Sequence, residues 1–182
     1  MLHSQYRWKT PEANLEAAQL LTEELGISPL LSRLLVNRGV TTAGEANRFL
    51  YGSVDDVHDP FLLLGMKEAV PRIRQALERD EHILIYGDYD ADGVSSTSLM
   101  IQLMRFLKAS YDIYIPHRSN EGYGLHNHAL DWAHQQGVTL VITVDTGISA
   151  VEQITYATSL GIDVIVTDHH EPPAVLPEAY TL

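Results

Sequence analysis

The chain has 182 residues, of which 45% are hydrophobic and 20% are charged, as in an ordinary folded domain. It contains no cysteine, which excludes disulfides and thiolate metal sites. Its formal net charge of -12 argues against binding of nucleic acid by a broadly basic surface, so any contact with a polyanion has to be local or to involve metal ions.

The N-terminal sequence, MLHSQYRWKT, lacks the apolar segment of a signal peptide. No apolar run in the chain approaches the ~20 residues that a membrane-spanning helix requires. Together with the absence of cysteine, these features predict a cytoplasmic protein that has no membrane partner.

Residues 1–64 predict a helical N-terminal lead-in. Helices are expected over 11–25, 28–37 and 42–51, followed by a linker at 55–60. Ser28 and Pro29 form a helix start, and Gly26 and Gly39 follow helix ends. Three short helices could bind DNA as a helix-turn-helix does, but packing against a neighbouring domain is the more common use and is favoured here.

Residues 65–182 predict a second domain in which helices and strands alternate. Helices are expected over 67–79, 95–108, 127–136 and 149–160, and strands over 83–86, 111–115, 140–144 and 164–167. Strands separated by helices indicate a parallel sheet with right-handed crossovers. The predicted fold class is α/β, a doubly wound parallel sheet flanked by helices.

The first strand of this domain ends in three aspartates at alternate positions, in the segment ILIYGDYDADGVSS. Asp88, Asp90 and Asp92 would repel one another, each close pair by roughly 4 kcal/mol at about 4 Å and an effective dielectric constant of about 20. Mg²⁺ and Mn²⁺ prefer such oxygen ligands. The simpler alternative is a helix cap or turn, but one cap accounts for one aspartate and not for three.

Polar residues also close the other three strands, in the segments PHRSNEGYGL, DTGIS and DHHEP. Because parallel strands bring their carboxyl ends to one edge of the sheet, we expect these side chains to converge near the three aspartates. They are His117, Arg118, Asp145, Asp168, His169 and His170. Each alone has an ordinary explanation, such as a turn or a solvated charge. The combination predicts a site for one or two divalent metal ions.

The motifs GDYDADG, PHRSNEGYGL, DTGIS and DHH, in this order, resemble the DHH phosphoesterase superfamily. Within it, they are similar to the RecJ-like branch, bacterial exonucleases specific for single-stranded DNA. The resemblance extends from about residue 67 to residue 177, and the preceding helices are also similar to that branch. It implies a hydrolase that acts on single-stranded DNA in recombination and repair.

The resemblance also implies a catalytic site with two Mn²⁺ or Mg²⁺ ions. Asp90 and Asp92 would each hold one ion, and Asp145 would bridge the two. His169 would complete the shell of the second ion, and Asp88 would support the first directly or through water. Water activated by the ions would attack the phosphodiester.

Further roles implied by the resemblance concern the substrate. His170 and Arg118 would contact the scissile phosphate, with His117 beside them, and Asp168 would orient a histidine. A further metal-binding aspartate and a domain that closes over the cleft are expected beyond residue 182. The domain at 65–182 would therefore be incomplete, and the chain alone would bind metal weakly and cleave poorly.

Several alternatives remain open from the sequence. The segment DADGV is similar to the nucleophile motif of haloacid-dehalogenase-like phosphatases, and acids at strand ends are typical of receiver domains. Both need a later lysine near the phosphate, whereas Lys108, the last lysine in the chain, is expected at the far end of a helix. Other candidates are a phosphodiesterase for short oligoribonucleotides or cyclic dinucleotides, and a non-catalytic nucleic-acid-binding module. The expected partners are single-stranded DNA, possible RNA substrates, and a single-strand-binding protein or helicase.

Overall fold

Residue 9 and residues 14–182 are described in the structure, which is a computed structural model. The chain divides into two units, Met1–Asp59 and Pro60–Leu182, and each is described by itself. Within the described residues, no helix is both long enough and apolar enough to cross a membrane.

The first unit contains the three predicted helices, α1 (Leu15–Leu25), α2 (Pro29–Asn37) and α3 (Ala43–Tyr51). Residues 11–13 of the predicted first helix lie outside the described residues, and Asn14 caps α1 through the Ala17 N–H instead of lying inside the helix. Ser28 caps α2 as predicted. Leu21, Leu35 and Ala46 form the centre of a small core. The predicted linker at 55–60 is partly ordered as a short 3-10 helix, Val54–Asp56.

The second unit is a four-stranded parallel sheet with helices on both faces, which confirms the predicted fold class. Its strands are β1 (His82–Tyr86), β2 (Ser110–Tyr114), β3 (Val138–Val144) and β4 (Asp163–Thr167), in the order β2-β1-β3-β4. Its helices are α4 (Met66–Glu78), α5 (Ala91–Leu107), α6 (Asn127–Gln135) and α7 (Val151–Ser159).

Alternation along the buried strands divides the core between the two faces of the sheet. Ile83 and Ile85 of β1 face the side that packs against α4 and α5. Leu84 and Tyr86 face the side covered by α6 and α7. Because side chains alternate in a strand, an apolar run such as ILIY supplies both faces at once.

Helix α5 begins four residues earlier than the predicted start at residue 95, which corrects that boundary. Asp90 caps the helix: its Oδ1 accepts hydrogen bonds from the Asp92 and Gly93 N–H groups. A Cβ at Gly93 would lie 2.4 Å from the Asp88 carbonyl oxygen, so this glycine allows the turn to fold back on itself. The turn that carries the aspartates is therefore also the start of the helix.

The carboxyl ends of the strands lie along one edge of the sheet. Tyr86, the last residue of β1, pairs with Tyr114 of β2 on one side and Thr143 of β3 on the other. The chain connects outward in opposite directions from β1 and β3, which makes the gap between these two strands the switch point where ligands bind in open α/β sheets.

Candidate metal centre

The turn after β1 holds one buried and one exposed carboxylate. Asp88 is 4% exposed, and its Oδ1 has no hydrogen-bond partner among the described residues. Asp90 is exposed and uses Oδ1 for the cap of α5, at 2.9 Å from Asp92 N and 3.0 Å from Gly93 N. Since a buried polar atom without a partner is costly, the Asp88 oxygen indicates a site that accepts a cation.

Asp145 follows β3 and has an unusual backbone conformation. Its φ of 62° lies in the left-handed region, which costs energy for a residue other than glycine. It is 8% exposed, and in the described part of the chain neither of its side-chain oxygens makes a hydrogen bond. Its backbone N–H donates to the Thr167 carbonyl at 2.9 Å, which fixes this turn to β4. The left-handed backbone, together with two buried oxygens that lack a hydrogen bond in the described residues, makes Asp145 a candidate functional residue.

Asp168 follows β4 and is saturated by hydrogen bonds. Its Oδ2 accepts the Ile148 N–H at 2.9 Å. Its Oδ1 accepts the N–H groups of His169 and His170 and lies 2.7 Å from His170 Nδ1. Its side chain is only 1% exposed and belongs to neither of the ligand clusters found among the described residues, and its contact with Nδ1 orients the His170 ring.

Four of the five predicted metal ligands, together with His170, form two clusters that share one residue. Asp88, Asp90 and Asp145 offer oxygens that all lie within 4.8 Å of one another, and the same holds for ligand atoms of Asp145, His169 and His170. Asp145 belongs to both. Among the described residues, Asp92 belongs to neither cluster, but it lines an open pocket of about 390 Å³ together with Asp145 and His169.

The pKa values differ within the clusters. Burial and the nearby charge of Asp90 raise the pKa of Asp145. The Gly93 N–H lowers the pKa of Asp90, with help from the positive charge of Arg118. Nε2 of His169 lies 2.9 Å from Asp145 Oδ1, at ion-pair distance but without hydrogen-bond geometry. The hydrogen bond to Asp168 raises the pKa of His170.

The donor set fits a hard divalent cation. Three carboxylates are accompanied by the imidazoles of His169 and His170, and the chain contains no thiolate. This is the ligand type of Mn²⁺ and Mg²⁺. A cation placed among the carboxylates would neutralise their repulsion and satisfy the unpaired buried oxygens of Asp88 and Asp145.

The loop after β2 brings Arg118 to the site and holds His117 differently. The Arg118 guanidinium lies 4.6 Å from the centre of the Tyr89 ring. Nδ1 of His117 accepts the Ser119 N–H at 3.3 Å, and among the described residues His117 belongs to neither metal cluster. Arg118 therefore borders the carboxylates, whereas the His117 ring is tied to its own loop.

Two aromatic residues at the site were not predicted from the sequence. Tyr89 lies under Arg118, and the Tyr123 ring centre lies 5.5 Å from that of His170. The Tyr123 hydroxyl is also 3.2 Å from His170 Nδ1, although that nitrogen has a shorter contact with Asp168. Their positions inside DYDADG and EGYGL are the sequence signal that could have identified them.

The later lysine that the rival phosphatase and receiver chemistries would need, Lys108, lies far from this site. Lys108 is the C-cap of α5, whereas the N-cap of the same helix is Asp90. Seventeen helical residues separate them, which corresponds to about 25 Å at 1.5 Å per residue. An aspartyl-phosphate at Asp90 would therefore not have Lys108 beside it.

Comparison with known proteins gives a consistent result. The sequence profile of the DHH family, N-terminal domain, matches residues 82–182. The chain is 49% identical over 178 residues to the single-stranded-DNA-specific exonuclease RecJ of Bacillus subtilis (strain 168), covering 98% of this chain and 23% of that protein. It thus spans about a quarter of the length of this relative.

Two solved structures have the same fold. A crystal structure of exonuclease RecJ bound to manganese matches with a TM-score of 0.62 and 35% identity, over 68% of this chain and 32% of that one. RecJ from Thermus thermophilus in complex with Mn²⁺ matches with a TM-score of 0.68 and 25% identity, over 91% of this chain and 23% of that one.

Proposed function

The chain belongs to the DHH family, and from this membership we propose that it forms the metal-binding part of a single-stranded-DNA-specific exonuclease that hydrolyses phosphodiester bonds. The exonuclease identity of the Bacillus subtilis relative supports this. The observation that carries the proposal is Asp145, whose buried carboxylate, without a hydrogen bond in the described residues, is common to both clusters of potential metal ligands.

Two Mn²⁺ or Mg²⁺ ions are the proposed cofactors. Asp88, Asp90 and Asp145 would hold one ion, and Asp145, Asp92 and His169 would hold the other. A bound divalent ion acidifies water and neutralises charge that develops on a phosphodiester. The protein contributes a preformed cluster in which burial and the left-handed turn already hold Asp145 between the two ligand groups.

The proposed substrate contacts involve three residues of the sheet edge. Arg118 would bind the scissile phosphate through its fork of N–H donors. His170 would contact the same phosphate through Nε2, since its Nδ1 lies against Asp168. His117 is the third proposed contact, and it requires its ring to leave the Ser119 N–H.

The organisation of the whole protein is also a proposal. Residues 65–182 would be the DHH phosphoesterase domain without its C-terminal part, and 1–64 a helical lead-in. A further ligand and the surface that holds the DNA strand would come from additional sequence, in keeping with the 23% coverage of the relative. The proposed substrate is single-stranded DNA. A single-strand-binding protein or a helicase is a proposed partner, and the proposed location is the cytoplasm.

The experiment that tests this function uses the full-length protein with single-stranded DNA labelled at one end or the other. We expect nucleotide release that requires Mn²⁺ or Mg²⁺ and stops with a chelator. Short oligoribonucleotides and cyclic dinucleotides are the competing substrates. Faster cleavage of either than of DNA would reassign the substrate, and no cleavage of any would indicate a non-catalytic module.

Asp145→Asn is the variant that tests the metal assignment, because asparagine tolerates the left-handed backbone better than alanine would. We expect it to abolish metal-dependent cleavage. Asp80→Asn is the matched control: Asp80 also has a positive φ, of 51°, but lies before β1 at the opposite end of the sheet. Retained cleavage in Asp145→Asn, in a preparation free of other nucleases, would contradict the assignment.

A further inference from the structure

Glu121 lies outside the metal clusters, but its carboxylate joins three elements. Oε2 accepts the backbone N–H of His117 at 2.5 Å. Oε1 accepts the hydroxyl of Tyr114, at the end of β2, and lies 2.6 Å from Nε2 of His128 in α6. The strand, the following loop and the next helix are therefore tied to one side chain.

The loop around Glu121 is fixed at its backbone as well. The His117 carbonyl accepts the N–H groups of Asn120, Glu121 and Gly122 at 3.1, 2.9 and 3.4 Å. Because Glu121 accepts the His117 N–H, both polar groups of the His117 backbone are hydrogen-bonded. The path of the chain immediately before Arg118 is thus determined.

An aromatic pair anchors the loop to the core. The Tyr114 ring stacks on the buried Tyr86 ring with 5.2 Å between centres. The Tyr86 hydroxyl donates to the Gly124 carbonyl at 3.1 Å, near the other end of the loop. The Glu121 side chain is 19% exposed, and the His117 N–H lowers its pKa to about 2, so it is charged at neutral pH.

We propose that Glu121 is a positioning residue for Arg118: by holding the His117 backbone against Tyr114 and His128, it fixes the loop that places the guanidinium over Tyr89 and beside Asp90. An arginine side chain has several rotatable bonds, and a fixed backbone reduces the freedom it loses on binding phosphate. The inference rests on the proposed function, in which Arg118 contacts the scissile phosphate.

The test is a double-mutant cycle of Glu121→Gln and Arg118→Ala in the full-length protein, with single-stranded DNA and Mn²⁺. Because Glu121→Gln removes the charge that holds the loop, we expect it to raise KM roughly tenfold, which corresponds to about 1.4 kcal/mol, with little change in kcat. In the Arg118→Ala background the same substitution should change KM less than about twofold. Equal effects in both backgrounds would overturn the inference.

Asp131→Asn is the matched control. The Asp131 carboxylate in α6 also accepts a tyrosine hydroxyl, that of Tyr156, at 2.5 Å, but it belongs to no loop of the site. Its KM should equal that of the wild type. If Glu121→Gln fails to fold, Tyr114→Phe removes one of the three contacts and keeps the ring, and the same cycle applies with a smaller effect.

Hydrogen exchange separates this inference from the proposed function. If the wild-type protein does not cleave DNA, the proposed function fails, and the loop can still be examined. Glu121→Gln should accelerate exchange of the His117 and Gly122 amides, whereas Asp131→Asn should not. Unchanged protection in Glu121→Gln would show that this carboxylate does not hold the loop, and would overturn the inference independently of activity.

Discussion

The two ends of the parallel sheet treat charged side chains in opposite ways. At the amino end, Arg72 of α4 is 5% exposed and forms ion pairs with Glu81 at 2.7 Å and Asp163 at 2.6 Å. At the carboxyl end, Asp88 and Asp145 are equally buried, but within the described residues their side chains leave three oxygens without a hydrogen-bond partner.

The charged residues at the amino end stabilise the fold, whereas those at the carboxyl end are arranged to bind a ligand. At the amino end, opposite charges compensate one another, and the ion pairs connect α4 with the residues that begin β4 and precede β1. At the carboxyl end, three carboxylates are collected with the exposed His169 and Arg118 beside them, and in the part of the chain that the structure describes no buried cation compensates their charges. Such an arrangement costs folding free energy and is retained where a ligand supplies the missing charge.

The largest expected change in the free energy of unfolding is at the amino end of the sheet. Arg72→Met removes the buried cation shared by Glu81, which keeps only the exposed Arg79 at 4.0 Å, and by the partly exposed Asp163. Breaking a buried ion pair costs about 3–5 kcal/mol of unfolding free energy, and we expect the lower end of this range here. Urea denaturation measures this directly. Arg74→Met, on the exposed side of the same helix, is the control and should change stability little. A small effect of Arg72→Met would mean that the two ends do not differ as described.

At the carboxyl end of the sheet, removal of a charged side chain should raise the free energy of unfolding instead of lowering it. Without metal, Asp145→Asn removes a buried carboxylate whose pKa is raised by burial and by Asp90, and we expect it to stabilise the protein by about 1–2 kcal/mol. With Mn²⁺ present, the wild type should gain stability and the variant should not. Thermal unfolding with and without Mn²⁺ measures both. Destabilisation of the metal-free variant would contradict the interpretation of the cluster as repulsive.

Glu121 gives a pH-dependent prediction for the carboxyl end. Its pKa is lowered to about 2, chiefly by the His117 N–H, from an ordinary value of 4.5. The stability that ionised Glu121 contributes to the folded protein is therefore present above pH 4.5 and is lost as the pH falls towards 2. We expect about 1 kcal/mol after solvent screening. When the pH falls from about 5 to about 3, urea denaturation should show a smaller loss of unfolding free energy for Glu121→Gln than for the wild type. An equal loss in both proteins would contradict the prediction.

The fold was accessible from the sequence because its signals are local. Apolar runs of four or five residues, such as ILIY, predicted each strand, and the alternation with helices predicted the parallel sheet. The predicted start of α5 is four residues late because Asp90 is interpreted from the sequence as a metal ligand, whereas the structure shows it as the helix cap. An aspartate after a strand gives the same sequence signal for a cap as for a proposed ligand.

The convergence at the site was also predictable, since parallel strands necessarily bring their ends together. The family resemblance implied that Asp145 is shared between two ligand groups, but the spacing of residues alone could not reveal this, because it depends on the left-handed turn of Asp145 and on distances between strands. The contacts of Glu121 join residues of a strand, a loop and a helix, and no spacing in the sequence encodes them.

The smallest expected effect concerns Arg118, the exposed counterpart of Arg72. At the amino end two carboxylates hold the arginine, whereas Arg118 lies over the face of Tyr89. A cation–π contact at an exposed site contributes about 0.5–1 kcal/mol, so Tyr89→Leu should raise KM for single-stranded DNA roughly two- to fivefold. Tyr89→Phe keeps the ring and should resemble the wild type. Steady-state kinetics of the full-length protein distinguish the two. An equal increase in both variants would assign the effect to the hydroxyl, and Arg118 would then be held by Asp90 and its loop alone.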